Sequence, residues 1–93
     1  MRLSQESAEV AYWRSGGYCV ACGGLATDHH HVFYTQRYPD LADDPDNLIS
    51  LCRGCHANHH SGMRRIPRRL CRHAERLADE QMLGWLDRRY GNL

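Results

Sequence analysis

The chain has 93 residues, 42% of them hydrophobic, and a formal net charge of +1. That length predicts one small domain whose limited core calls for a staple. No apolar run reaches the length of a membrane span and residues 1–13 hold no signal-peptide core, so a cytoplasmic protein with no membrane partner is expected.

In chain order, Leu3 to Trp13 reads as a short helix with Val10, Tyr12 and Trp13 as apolar surface, stopped by Ser15-Gly16-Gly17. Cys19-Val20-Ala21-Cys22-Gly23-Gly24 reads as a tight knuckle, its glycines letting backbone amides turn toward the sulfurs. Residues 25–34 are expected to form a strand, because Val32, Phe33 and Tyr34 favour β structure. Residues 35–46, with Pro39, Pro45 and four Asp, read as a loop, and residues 47–51 as a second strand. Cys52 to Ser61 should be a helix that ends near Gly62.

After Pro67 the pattern predicts a helix with Leu70, Ala74, Leu77 and Ala78 on one face. Asp79-Glu80-Gln81 caps a last helix with Leu83, Leu86 and Tyr90 as its buried stripe and Trp85 near it, though Gly84 weakens it.

Cys19-x-x-Cys22 and Cys52-x-x-Cys55 place four thiols at metal-ligand spacing. In a reducing compartment such pairs read as ligands of one tetrahedral Zn²⁺ rather than as disulfides. The competing reading, buried apolar cysteines, does not account for two such pairs in so short a chain. Cys71 has no partner at ligand spacing and reads as a core thiol.

Between and just after these pairs stand Asp28-His29-His30-His31-Val32, Asp46-Asn47-Leu48-Ile49-Ser50-Leu51-Cys52-Arg53-Gly54-Cys55-His56 and His59-His60. Together with Cys19-Val-Ala-Cys22, these residues resemble the HNH endonucleases, the ββα-metal or His-Me finger family, in a phage or prophage form. The resemblance implies an α+β, treble-clef-like, zinc-stapled ββα-metal domain with flanking N- and C-terminal helices. One domain over 1–93 is expected, with its core motif at 19–60 and a helical extension at 64–93.

The resemblance also implies roles. In the preferred register His30 is a ligand of the catalytic divalent metal and His31 the general base, with Asn47 positioning that base. The alternative makes Asp28 the ligand and His29 the base, and strand alternation does not decide, because residues 29 and 31 share a face. His56 and His60, one helical turn apart, complete the metal set, with His59 as competitor for the place of His60. A nitrogen-rich shell of His30, His56 and His60 favours Zn²⁺, Ni²⁺ or Mn²⁺, whereas an Asp28 ligand would suit Mg²⁺. The chemistry suits the residues: an imidazole, with an ordinary pKa of about 6.5, can take a proton from water, and a divalent ion can stabilise a leaving alkoxide. The loop Thr35-Gln36-Arg37-Tyr38-Pro39-Asp40 departs from the family's glycine-rich turn. The acids Asp40, Asp43, Asp44 and Asp46 are expected to point away from DNA. His73 is expected to lie outside the site.

All twelve basic residues are Arg. Three Arg and seven acids in 1–52 give −4, and nine Arg and four acids in 53–93 give +5. Arg64, Arg65, Arg68 and Arg69 follow the motif directly and are the expected DNA-phosphate contacts. Arg72 and Arg76 can equally pair with Glu75, Asp79 or Glu80 on a solvated face.

Two function classes follow: a metal-dependent DNA endonuclease acting alone, as a homodimer or with a phage or host partner protein, or a non-catalytic zinc-stabilised nucleic-acid-binding module. A nucleobase deaminase is excluded, since His73-Ala74-Glu75 comes after both Cys pairs and no Pro precedes them. The absence of His-Glu-x-x-His excludes a zinc protease of that type.

Overall fold

The computed structural model describes residues 4–91. Its first helix, α1, spans Gln5–Arg14, so the expected start at Leu3 lies outside the described residues. Ser4 caps it, its hydroxyl accepting from the Ser7 amide. The chain leaves it through Gly16 and Gly17, both at positive φ (68° and 81°), where a side chain would be strained. Ser7 and Ala11 form the buried face of α1, while Val10 and Trp13 are 50% and 68% exposed. The expected apolar face is therefore turned outward, and α1 docks through small side chains.

β1 (Asp28–His31) pairs antiparallel with β2 (Leu48–Leu51), with His30 opposite Ile49 and His31 opposite Leu48. The strand expected over 25–34 is thus only four residues long. Val32 and Phe33, the residues that argued for it, lie just beyond β1 and are fully buried in the core. Their apolar bulk serves packing, and the pairing is carried by the Asp-His-His-His run. Between the strands, Pro39–Leu41 and Pro45–Asn47 form single 3₁₀ turns.

α2 (Arg53–Ser61) follows β2 directly. Cys52 is its N-cap, the sulfur accepting from the Cys55 amide, and Gly62 closes it at φ 78°. The helix expected after Pro67 is broken: Arg68–Cys71 is a 3₁₀ turn and α3 covers only Arg72–Glu75. Asp79 ends that stretch in extended conformation, because its carboxylate caps α4 (Glu80–Arg89) through the Met82 amide. Within α4, Met82 and Leu86 are buried, and Leu83 only partly so; Gly84 sits inside the helix without breaking it.

One core joins Val32, Phe33, Ile49, Leu51, Ile66, Cys71, Ala74, Met82, Leu86 and Tyr90. It unites the sheet with the C-terminal segment, whose Trp85 ring packs against Phe33 and Tyr34. The result is a small α+β domain with a two-stranded antiparallel sheet and a cluster of four cysteines, consistent with a zinc-binding ββα unit. Among the described residues no helix is long and apolar enough to cross a membrane.

Candidate functional site

The two Cys knuckles meet. Cys19, Cys22, Cys52 and Cys55 have sulfurs all within 4.8 Å of one another. The Cys22 and Cys52 sulfurs are 3.7 Å apart. A tetrahedral Zn²⁺ with bonds of about 2.3 Å requires about 3.8 Å, so the donor set fits that ion. The Gly24 amide points at the Cys22 sulfur (3.4 Å), and the Cys55 amide at that of Cys52 (3.4 Å). Burial disfavours a Cys19 thiolate, but the amides of Cys52, Cys22 and Ala21 overcome this and lower its pKa to about 7. Cys71 stands apart and fully buried, and burial raises its pKa to about 12.

Beside this clamp lies a second donor set. Ring nitrogens of His30, from β1, and of His56 and His60, from α2, fall within 4.8 Å of one another. Asp28 Oδ2 sits 2.9 Å from His56 Nδ1. The carboxylate, held below its usual pKa first by that contact, accepts from Nδ1–H, which leaves Nε2 free. His56 Nε2 lies 3.1 Å from His60 Nε2, close to the separation of about 3.3 Å that two imidazoles have on a tetrahedral ion. His30 is 2% exposed; burial first, then the neighbouring histidines, drives its pKa down to about 2, so the ring is neutral. Its Nε2 is 2.8 Å from the Tyr90 hydroxyl, itself 3.2 Å from the Val32 carbonyl. Both contacts are satisfied when Tyr90 donates to Val32 and accepts from His30 Nε2–H. His30 Nδ1 then carries the lone pair. These three rings fit a divalent ion with nitrogen preference.

His60, not His59, joins this set. His59 is 1% exposed, accepts from the Ile66 amide at Nδ1 (3.0 Å) and stacks on Tyr90 at 4.6 Å. Burial and then the Arg89 charge lower its pKa to about 4. It ties α2 to the C-terminal segment. Asp28 serves as the partner of His56, with Arg53 3.5 Å away.

His31 opens onto a cavity of about 400 Å³ that is also lined by His29, Tyr34, Gln36, His56 and His60. Its Nε2 lies 2.9 Å from the Ala42 carbonyl, which can only accept. Nε2 therefore carries the proton and Nδ1 the lone pair. His29, on the same strand face, has a buried Nδ1 without a partner among the described residues. Asn47 is fully buried, and among the described residues its side chain makes no hydrogen bond to the His31 ring. Its Oδ1 accepts from the Phe33 amide (2.7 Å), and its Nδ2 donates to the carbonyls of Phe33 (3.1 Å) and Leu41 (3.2 Å). It pins both ends of the loop whose Ala42 holds His31.

The acidic loop faces α1. Asp43 accepts from the Ser4 amide, Asp44 from the Asp46 amide, and Asp46 pairs with Arg14 at 3.3 Å. Of the four arginines after the motif, Arg64, Arg65 and Arg69 line a groove of about 690 Å³ beside Cys22 and Cys55. Arg65 also donates to the Arg88 carbonyl. Arg68 is bound inside the fold by Glu75 and Asp87. Arg72 and Arg76 form none of the expected helical ion pairs, since Glu75 is taken by Arg68.

Tyr90, which bonds His30, and Arg89, which bonds the cavity-lining Tyr34, are supporting residues that the sequence reading missed. Tyr90 counted as an apolar stripe position, although a buried tyrosine hydroxyl always needs a partner. The Arg89 Nε donates to the Tyr34 hydroxyl (2.8 Å), at the rim of the His31 cavity.

Comparison with known proteins gives one match, to the HNH endonuclease family over residues 19–62. No curated protein and no solved structure matches the chain. The matched residues run from the first cysteine of the four-thiol cluster to the glycine that closes α2, so the segment 19–62 is similar to the HNH endonuclease domain.

Proposed function

We propose that the protein is a metal-dependent endonuclease that hydrolyses DNA phosphodiester bonds. The observation that carries this reading is the convergence of the His30, His56 and His60 nitrogens beside a His31 ring whose Nδ1 is free. The family match supports it, since nuclease activity is the family's common chemistry.

In this reading Cys19, Cys22, Cys52 and Cys55 hold structural Zn²⁺, and His30, His56 and His60 hold one catalytic divalent ion (Zn²⁺, Ni²⁺, Mn²⁺ or Mg²⁺). That ion, when bound, supplies positive charge to the phosphate and the leaving oxygen. His31 Nδ1 accepts a proton from the attacking water, while its Nε2–H stays on the Ala42 carbonyl and fixes the ring. The water oxygen bonds to phosphorus, and the bond from phosphorus to the departing sugar oxygen breaks. Asn47 keeps the loop that carries Ala42 in place. Arg89, oriented by Tyr34, offers a guanidinium to a phosphate oxygen at the cavity rim. Arg64, Arg65 and Arg69 form a separate face for the DNA backbone. The whole chain acts as one domain, with 64–91 completing the motif.

Supercoiled plasmid tests the reading, with metal-stripped protein given Mg²⁺, Mn²⁺, Ni²⁺ or Zn²⁺. Nicked product from wild type and none from His31→Ala is expected. Intact plasmid across every metal, with DNA binding retained, would instead assign the non-catalytic module.

A further inference from the structure

A second cavity of about 400 Å³ lies between α1, β2 and α3 and shares no lining residue with the His31 cavity. Arg14, Arg69, Arg72 and His73 line it together with apolar residues that include Val20 and Leu70. Arg14 is spoken for: its guanidinium bonds Asp46 and the carbonyls of Pro45 (2.8 Å) and Leu48 (3.1 Å). Arg69 and Arg72 have neither an ion pair nor a hydrogen bond to their side chains among the described residues. His73 Nδ1 is buried and has no partner. Two exposed guanidiniums without an ion pair, beside a buried, unpaired imidazole nitrogen at one concavity, suit an acceptor-rich anion. The apolar wall excludes a bare inorganic ion as the best fit and favours one attached to a carbon body.

We propose that this cavity is a binding site for a phosphate ester, with Arg69 and Arg72 on the phosphate oxygens, the His73 ring beside them in the cavity wall, and the sugar against Val20 and Leu70. The ester is a backbone phosphate of DNA or a free mononucleotide, which share this chemistry. The longest dimension of the molecule is 32 Å, so about ten base pairs of duplex span it. The site shares no residue with the metal centre, but Arg69 also lines the groove of the proposed DNA face, so a backbone phosphate here would extend that reading.

The charges around His73 make it a reporter. Burial lowers its pKa first, then Arg14 and Arg76; Asp46 acts the other way, ahead of a smaller lowering by Arg72. A bound phosphate, a monoanion in a DNA backbone and a dianion in a mononucleotide, adds negative charge and shifts the ring toward imidazolium.

The experiment is nitrogen-15 NMR of histidine side chains in the full chain, without added divalent metal, so that cleavage does not enter. His73→Gln assigns the signal. Thymidine 5′-monophosphate, a 12-base-pair duplex and sodium acetate are the probes. A saturable His73 shift with duplex supports the site and names the DNA backbone as its source; a shift with the mononucleotide alone supports it and names the free nucleotide. Arg72→Ala is expected to raise the half-saturation concentration about tenfold, the loss of one charge-assisted contact. No His73 response to either phosphate ester, an equal response to acetate, or an undiminished response in Arg72→Ala would overturn the proposal.

Discussion

The Tyr90 hydroxyl lies 2.8 Å from His30 Nε2, and both residues are buried, 60 positions apart in sequence. This contact selects the tautomer of His30 in which Nδ1 carries the lone pair. Tyr90→Phe keeps the ring, the stack on His59 and nearly all of the packing. We expect it to weaken metal binding at the histidine site by roughly 10–100-fold, the usual effect of losing such a supporting group. Calorimetric titration of Ni²⁺ into zinc-loaded protein measures this directly; unchanged affinity would remove Tyr90 from the site.

Asp28 plays the corresponding part for His56. Asp28→Asn keeps the size but breaks the charge-assisted bond to Nδ1. A loss of about tenfold or more in metal affinity is expected, with the preference for Ni²⁺ over Mg²⁺ retained. If Asp28 were itself a ligand, its removal would instead change which ions bind.

Asn47→Ala should act on the fold as well as on catalysis. It deletes three hydrogen bonds and strands the buried Phe33 amide. A destabilisation of roughly 2–4 kcal/mol is expected, read as a shifted urea midpoint. Metal affinity should change far less than cleavage, since Asn47 touches no ligand ring.

Thiol counting checks the zinc clamp. Of five free cysteines, four form the cluster and Cys71 is buried with its pKa raised to about 12. Folded, zinc-loaded protein at pH 8 should react slowly with a thiol reagent. Strong chelator should release the four cluster thiols first, and Cys71 only when the core opens. Fast labelling of Cys71 in the zinc-loaded protein would contradict its placement.

Arg68 and Arg89 should separate cleanly. Arg68 links the turn before α3 to Glu75 and to Asp87 of α4. Arg68→Ala should cost up to about 1 kcal/mol of stability, since these pairs are partly solvated, and leave the salt slope of DNA binding unchanged. Arg89→Ala should lower that slope by about 0.9, the signature of one lost phosphate contact. Fluorescence anisotropy across a salt series reads both.

That the four thiols converge, and that His30, His56 and His60 do, was legible because ligand chemistry restricts residue type and spacing together. Cys-x-x-Cys can fold only one way around an ion, and His56 and His60 share a helix face whatever surrounds them. The supporting residues were not legible in the same way. Tyr90 reaches His30 only through tertiary packing, and nothing near either residue in sequence marks the pair. The exchange of His59 from competing ligand to structural tie depends on where Ile66 returns. Strand length failed as a prediction for a related reason: Val32 and Phe33 have β propensity, yet the core claims them at the point where the chain leaves the sheet. The face of α1 was misjudged because Ala11 and Ser7, not the larger side chains, permit the close approach to β2, where Ser50 bonds the Ala11 carbonyl.

Pro67 and Gly91 form an isolated bridge, with the Gly91 amide on the Ile66 carbonyl and the Arg68 amide on the Gly91 carbonyl. This clasp sets Tyr90 under His30. The recognisable motif stops at residue 62, well short of it. A peptide trimmed to residues 19–62 would keep every predicted ligand and lose the hydroxyl that orients one of them. The segment that the family match covers is thus smaller than the unit that holds the histidine cluster in place, and any transplant of that cluster into another scaffold must carry the clasp along.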